Sequence, residues 1–365
     1  MVRWLILLLL FSLLPISAHA ESIVYQGETT LWQDTVWSGE VLIDGILTVS
    51  PGTTLEIRPG TTIRFTFFDS NSDGIGEHEI FIQGVLRAIG ERDAPILFTS
   101  ALPSPQPGAW GAINLMASES ASELSFCVVE YAYRGFHGHF AQARLQDDEF
   151  RHNIRGAQFQ ESEVSFERSS FIDNFNGLQF RDSTVKFDDL RVINNYWGMR
   201  GVHSQVTMKS GRVSGNLVNG INLRDCDFNI SATILEKNRK GLYLQESRGE
   251  VRNSYFNGNS EHGIYLEESK VAIIGNRLRN NGRAGIKWVT SQSLLRQNSF
   301  DGGSEYTLVN ESATPVDAQE NWWGSTEVKE IAGMIRDGAD LDGIGRVDSS
   351  NFLVAPPEFI TLPQD

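Results

Sequence analysis

The chain has 365 residues, 40% of them hydrophobic, which is ample for a core, and its 46 acidic against 31 basic residues give a net charge of −15. A surface of that sign repels phosphate backbones and excludes nucleic acid as a partner class. Cys127 and Cys226 stand about five repeats apart, beyond the reach of a disulfide at ~4.8 Å per repeat, so two buried free thiols are expected.

The first twenty residues, MVRWLILLLLFSLLPISAHA, combine a basic start at Arg3, an apolar run and a small-residue cleavage site at Ala18-His19-Ala20. This is the pattern of a secretory signal peptide over 1–20, with an apolar run short of the ~20 residues of a spanning helix. Its loss removes one cation and takes the mature charge to −16. The expectation is an exported protein, periplasmic or at the cell surface, with no membrane span after cleavage.

Residues 21–134 alternate strand-like and turn-like segments at irregular spacing, including GILTVSPGTTLEIRPGTTIRF and IFIQGVLRAIGERDAPILFTS. They read as first coils interrupted by loops, one of them the proline-rich ALPSPQPGAW at 101–110. Another, Asp69-Ser70-Asn71-Ser72-Asp73-Gly74-Ile75-Gly76-Glu77-His78-Glu79, sets side-chain oxygens at alternate positions before a turn sharp enough to need Gly74. Hard cations want such oxygens, so Asp69, Asn71, Asp73, Glu77 and Glu79 form the candidate metal set, with calcium as a structural ion and no other cofactor. The loop is similar to those of dockerins and EF-hands, although its twelfth position is Ile80 and Glu79 comes one place early. The competing reading is an acidic Asp-Gly turn between strands.

From residue 135 the chain settles into a lattice. Gly135, Gly156, Gly177, Gly198, Gly220, Gly241, Gly263 and Gly285 lie 21 or 22 residues apart, and seven of them are followed eighteen residues later by an asparagine, from Asn153 to Asn281. Apolar residues recur one, ten and fifteen places after each glycine and three places after six of them, which predicts three short strands per coil stacked as three parallel sheets around one core. The asparagines suit left-handed turns and can satisfy one another from coil to coil, while Ser162, Ser183, Ser204, Cys226, Ser247, Ser269 and Ser291 mark a tight corner. Regular coils are expected over 135–306 and the whole solenoid over 21–320. Residues 321–365 form a cap and tail, where NWWG precedes a helical pattern in EVKEIAGMIRDG and Trp322 with Trp323 covers the open core.

The repeat, the asparagine ladder, the PGTTLEIRPGTTIRF opening and the NWWG closing segment resemble the right-handed parallel β-helix proteins of the pectate-lyase-like superfamily, from about Thr35 to Phe352. The resemblance implies an all-β fold, a single-stranded right-handed parallel β-helix. That superfamily includes polysaccharide lyases, hydrolases, sugar epimerases, adhesins and exported proteins of no known activity.

Motifs for catalysis are weak. Asp147-Asp148, Asp188-Asp189 and His137-Gly138-His139 echo polygalacturonase fragments, but in the wrong order, and the catalytic residues stay unassigned. His137, His139 and His152 suggest a metal site through a distant similarity to the copper-accessory β-helix proteins of NosD type; surface histidines are the plainer expectation. The stripe Glu161, Asp182, His203, Asp225, Glu246 and Glu268 reads as a solvated turn edge, and Asp337, Asp340 and Asp342 as solvated charge. The leading expectation is a non-catalytic scaffold whose outer faces bind polysaccharide or another cell-envelope component. The alternative is a polysaccharide lyase or glycoside hydrolase.

Overall fold

The alternation of apolar and polar residues is realised as a stack of parallel strands. In the computed structural model, which describes residues 22–118 and 120–358, the chain winds through about 13 turns of a right-handed parallel β-helix. The expected signal peptide at 1–20 lies outside the described residues. Each coil contributes one strand to each of three sheets. In one coil these are Ala132–His139 in the first sheet, Gln142–Gln146 in the second and Glu149–Arg151 in the third. The next coil repeats them in register as Arg155–Gln160, Glu163–Glu167 and Ser170–Ile172.

Like stacks on like inside. Phe150 lies on Phe171 with ring centroids 4.9 Å apart, Phe159 on Phe180 at 5.6 Å, and Phe166 on Phe187 at 5.8 Å. Burying each such ring is worth about 1.5–3 kcal/mol, so the stack is a principal source of stability. The glycine column has a steric cause. A Cβ at Gly198 would sit 2.3 Å from the carbonyl oxygen of Gly220, because adjacent coils bring their backbones together there.

Each corner is built from a pair of residues, the first left-handed and the second buried. The left-handed positions before the asparagine ladder are His152, Asp173, Asn194, Gly215, Lys237, Gly258 and Asn280. This corrects the expectation that the ladder asparagines themselves adopt that geometry. They stay buried because their amides are needed elsewhere: Asn216 Nδ2 donates to Val192 O at 3.0 Å and to Asn238 Oδ1 at 2.9 Å, while its Oδ1 accepts from the backbone and side chain of Asn195. The serine column works likewise at the corner between the first and second sheets, where the backbone N–H of Cys226 donates to Ser247 Oγ. The stripe residues Glu161, Asp182, His203, Asp225, Glu246 and Glu268 are the left-handed positions of that corner, the expected turn edge. A further ladder, Asn276, Asn298 and Asn321, holds the corner between the second and third sheets near the C-terminal end.

Both cysteines are free and buried. At the C-terminal end Trp323 is fully buried against Phe300, and the helix Val328–Gly333 buries Ile331. Asp337 departs from expectation: it is buried and binds the backbone N–H groups of Ala339 and Val347, so it organises the cap. Among the described residues no helix is long and apolar enough to cross a membrane.

Replacing Asn216 by Leu removes acceptor and donor from three successive coils and is expected to cost roughly 1–3 kcal/mol. Thermal unfolding unchanged from the parent would refute the ladder's energetic role.

Candidate functional site

The inner faces of the sheets and the corners are consumed by packing, so chemistry is left to the outer faces. On the first sheet the glycine interrupts the alternation, and the residue before it and the second after it both point outward. These rows run Arg134, Arg155, Asn176, Trp197, Asn219, Lys240, His262 and His137, Gln158, Gln179, Arg200, Asn222, Tyr243, Tyr265, Lys287 along neighbouring coils. Outward residues of a solenoid are ordinarily wet, yet here His137 and His262 are only 5% exposed and Asn176 only 6%.

The buried polar atoms of this face lack partners. Arg134 Nε, Arg155 Nε, Gln158 Oε1, Asn176 Oδ1, Asn219 Oδ1, Asn222 Oδ1 and His262 Nδ1 make no hydrogen bond, seven of the ten such atoms among the described residues. A buried polar group without a partner costs about 1–3 kcal/mol, so a row of them is a standing debt that packing cannot settle. One lip of the face is apolar: Phe175 stacks on Tyr196 with centroids 4.8 Å apart, and Phe175 and Leu217 are 52% and 66% exposed. Arg200 lies over Trp197.

The N-terminal end carries a fixed hydrogen-bond chain. Asn114 Nδ2 donates to Glu79 Oε2 at 2.7 Å, which orients Asn114 Oδ1 to accept from His137 Nδ1 at 2.6 Å and leaves His137 Nε2 with its lone pair free. Burial, then repulsion by Arg134, His139 and Arg155, lowers the His137 pKa to about 3. The ring is therefore neutral at physiological pH and basic only weakly. Burial raises the Glu79 carboxyl despite its bond to Asn114 and the nearby Arg134 charge.

Towards the C-terminal end a cavity of about 380 Å³ opens among Lys240, His262, Tyr265, Lys287, Tyr306 and Arg336. Lys240 rests over Tyr243 and Tyr265 and pairs with Glu261 at 3.2 Å; Lys287 pairs with Glu311 at 3.0 Å. His262 is held neutral to about pH 4, chiefly by burial.

The residues singled out in the sequence fall apart as one site. Asp69 accepts from the backbone N–H groups of Asp73 and Gly74, Asn71 from that of Asp73, Asp73 from that of Ile75, and Glu77 from the N–H and hydroxyl of Ser70. Glu79 is turned away to Asn114, so it belongs to the first sheet's face and leaves four residues in the loop. His137 and His139 do meet, edge to face at 4.8 Å, but His152 stacks on Tyr131 at a corner. His137 is thus a buried face residue, against the expectation of a surface histidine. Among the described residues no three His, Cys, Asp or Glu side chains gather in a geometry for a metal ion. Asp148 is buried and binds the Cys127 N–H, while Asp189 is a left-handed corner. What sequence reasoning missed was the outer face itself, whose signal was the polar and aromatic column two places after each glycine.

Fold and face together define the class: the chain is a right-handed parallel β-helix protein. The model of the periplasmic copper-binding protein (NosD) family matches residues 153–315, under half of the chain. No curated protein matches it. Solved structures similar to it include a periplasmic alginate epimerase (14% identity, 86% of this chain and 76% of that one, TM-score 0.38). The A-module of a mannuronan C-5 epimerase from Azotobacter vinelandii is also similar (12%, 90% and 91%, TM-score 0.35), as is an alginate lyase from Paenibacillus (10%, 83% and 93%, TM-score 0.31).

Unfolded histidines bind a proton near pH 6.5, whereas folded His137 and His262 resist it to about 3 and about 4. Their contribution is therefore present above about pH 6.5 and lost as the pH falls towards those values. His262→Gln is expected to flatten the decline in melting temperature between roughly pH 7 and 4.5. Parallel profiles for variant and parent would contradict the assignment.

Proposed function

We propose that this protein is an exported, non-catalytic scaffold that binds a linear glycan lengthwise along the outer face of its first sheet. The observation that carries the reading is the row of buried, unpartnered polar atoms running along that face from Arg134 to His262. A pyranose chain supplies hydroxyls as both donors and acceptors, and apolar C–H faces for Trp197, Tyr243 and Tyr265. The coils recur about every 4.8 Å, close to the length of one sugar unit, so each rung offers an equivalent contact to successive units. The wide lip of Phe175, Tyr196 and Leu217 suits a ligand with alternating apolar and polar edges.

Export follows from the signal-peptide pattern of residues 1–20 and accords with the periplasmic family matched over 153–315. A copper-accessory role rests on that match alone. A lyase or hydrolase role has no assigned catalytic residues, and new chain ends released from a bound polysaccharide would establish it in place of the scaffold. In affinity electrophoresis through gels containing acidic or neutral polysaccharides, the mature protein is expected to be retarded. Trp197→Ala and Tyr243→Ala should each weaken the retardation about tenfold. Unretarded migration in every gel would sink the proposal.

Calcium enters the same proposal as an ion pinning the loop that carries Asp69, Asn71, Asp73 and Glu77. The loop reaches the N-terminal end of the face, where the Gly76 N–H binds Gly108 O at 2.7 Å. Millimolar calcium is expected to raise the melting temperature of the parent and not that of Asp69→Asn/Asp73→Asn. Equal responses would remove calcium from the account.

A further inference from the structure

We infer that Arg134 and Arg155 together form the subsite for the carboxylate of a uronic-acid unit, an inference that rests on the glycan reading above. The two guanidinium groups stand on adjacent rungs and share one ring, with Cζ atoms 4.7 and 4.9 Å from the centroid of Tyr133. Arg155 Nη1 donates to the Tyr133 hydroxyl at 2.8 Å, which fixes the fork in place. Among the described residues neither arginine forms an ion pair with a carboxylate, and the Nε of each is buried without an acceptor. Towards the C-terminal end of the same sheet the fold supplies counter-charges, as Glu261 does for Lys240 and Glu311 for Lys287, while Arg200 between the two ends rests singly on Trp197. Two like charges gathered around one ring repel, and Glu79, the carboxylate whose charge Arg134 does feel, gives its hydrogen bond to Asn114 and forms no ion pair with either arginine.

The neighbouring groups narrow the anion. Gln158 Oε1 and Asn176 Oδ1 flank the pair and lack donors. A phosphate dianion would satisfy the guanidinium groups and leave those amide oxygens bare. A neutral sugar would satisfy the amides and leave the charge. A uronic acid carries both a planar carboxylate for the guanidinium fork and ring hydroxyls that donate to the amides.

The test is titration calorimetry at low salt with four probes: hexagalacturonate, its fully methyl-esterified form, a neutral cello-oligosaccharide and a sulfated galactan oligomer. The parent is expected to bind the acid at least about tenfold tighter than the ester, since the ester keeps every hydroxyl and loses only the charge. Arg134→Gln/Arg155→Gln, checked by its melting temperature, should bring the acid down to the affinity of the ester; either single variant serves if the double fails to fold. Arg248→Gln on the second sheet should change nothing. Equal affinity for acid and ester, a preference that survives in the variants, or tighter binding of the sulfated oligomer would overturn the subsite while the groove stands. Failure of all four probes to bind would overturn the groove as well.

Discussion

Everything in this molecule depends on the way a coil closes. At the asparagine and serine corners one residue enters the left-handed region and the next turns a small or amide side chain inward, where it takes up the backbone N–H of the preceding coil. Left-handed geometry costs an ordinary residue free energy, and a buried orphan amide costs more. The ladder offsets both by letting each side chain satisfy its neighbour, an arrangement that works only if every coil keeps the same phase. The strict 21- or 22-residue period follows from that requirement, and so does the in-register stacking of the phenylalanines.

A rigid period has a consequence for the outside. Once corners and interior are assigned, residues at one outward position are forced into a line, each separated from the next by a single strand spacing of about 4.8 Å. Long side chains in such a line shield one another from water, which is why His137, Asn176 and His262 are buried although they point away from the core. Elsewhere the line is made to satisfy itself, as the Asn and Ser columns do. On the outer face of the first sheet it does so only in places, as where Tyr243 stacks on Tyr265, because residue types change from rung to rung and Arg155, Asn176 and Asn219 keep polar atoms without partners.

The sequence made the interior and corners legible because they repeat. Phe171, Asn195 and Ser204 could be placed by counting, since period and burial are tied by the same hydrogen bonds. Its reading of the ladder missed one detail: the left-handed residue comes before the asparagine, and any of His152, Asp173 or Lys237 fills it, so composition carries little signal. The face was harder to read because function there does not repeat. Tyr243 and Tyr265 sit in the same column as Gln158 and Arg200, and a column of mixed type looks like solvated surface. His137 looked exposed for the same reason, and its burial is set by Asn114, a residue from an earlier, irregular coil with no countable position. Asp337 was hidden likewise, since its partners Ala339 and Val347 meet only in the folded cap.

The charges on the face are arranged unevenly along the axis, and that unevenness has physical content. At the C-terminal end the lysines are paired with glutamates of neighbouring coils and the tyrosines lie close by, giving a cavity whose cations and carboxylates largely offset one another. At the N-terminal end Arg134 and Arg155 stand without such partners beside a neutral histidine. A uniform polymer laid on a uniform groove could slide by one coil at little cost, because every rung would offer the same contacts. The two arginines gathered about Tyr133 at one end remove that degeneracy: a ligand carboxylate gains most in the register that reaches both, and the remaining units are placed from there by the fixed coil spacing. On the proposed reading the repeat supplies affinity along the face, and the break in the repeat supplies position.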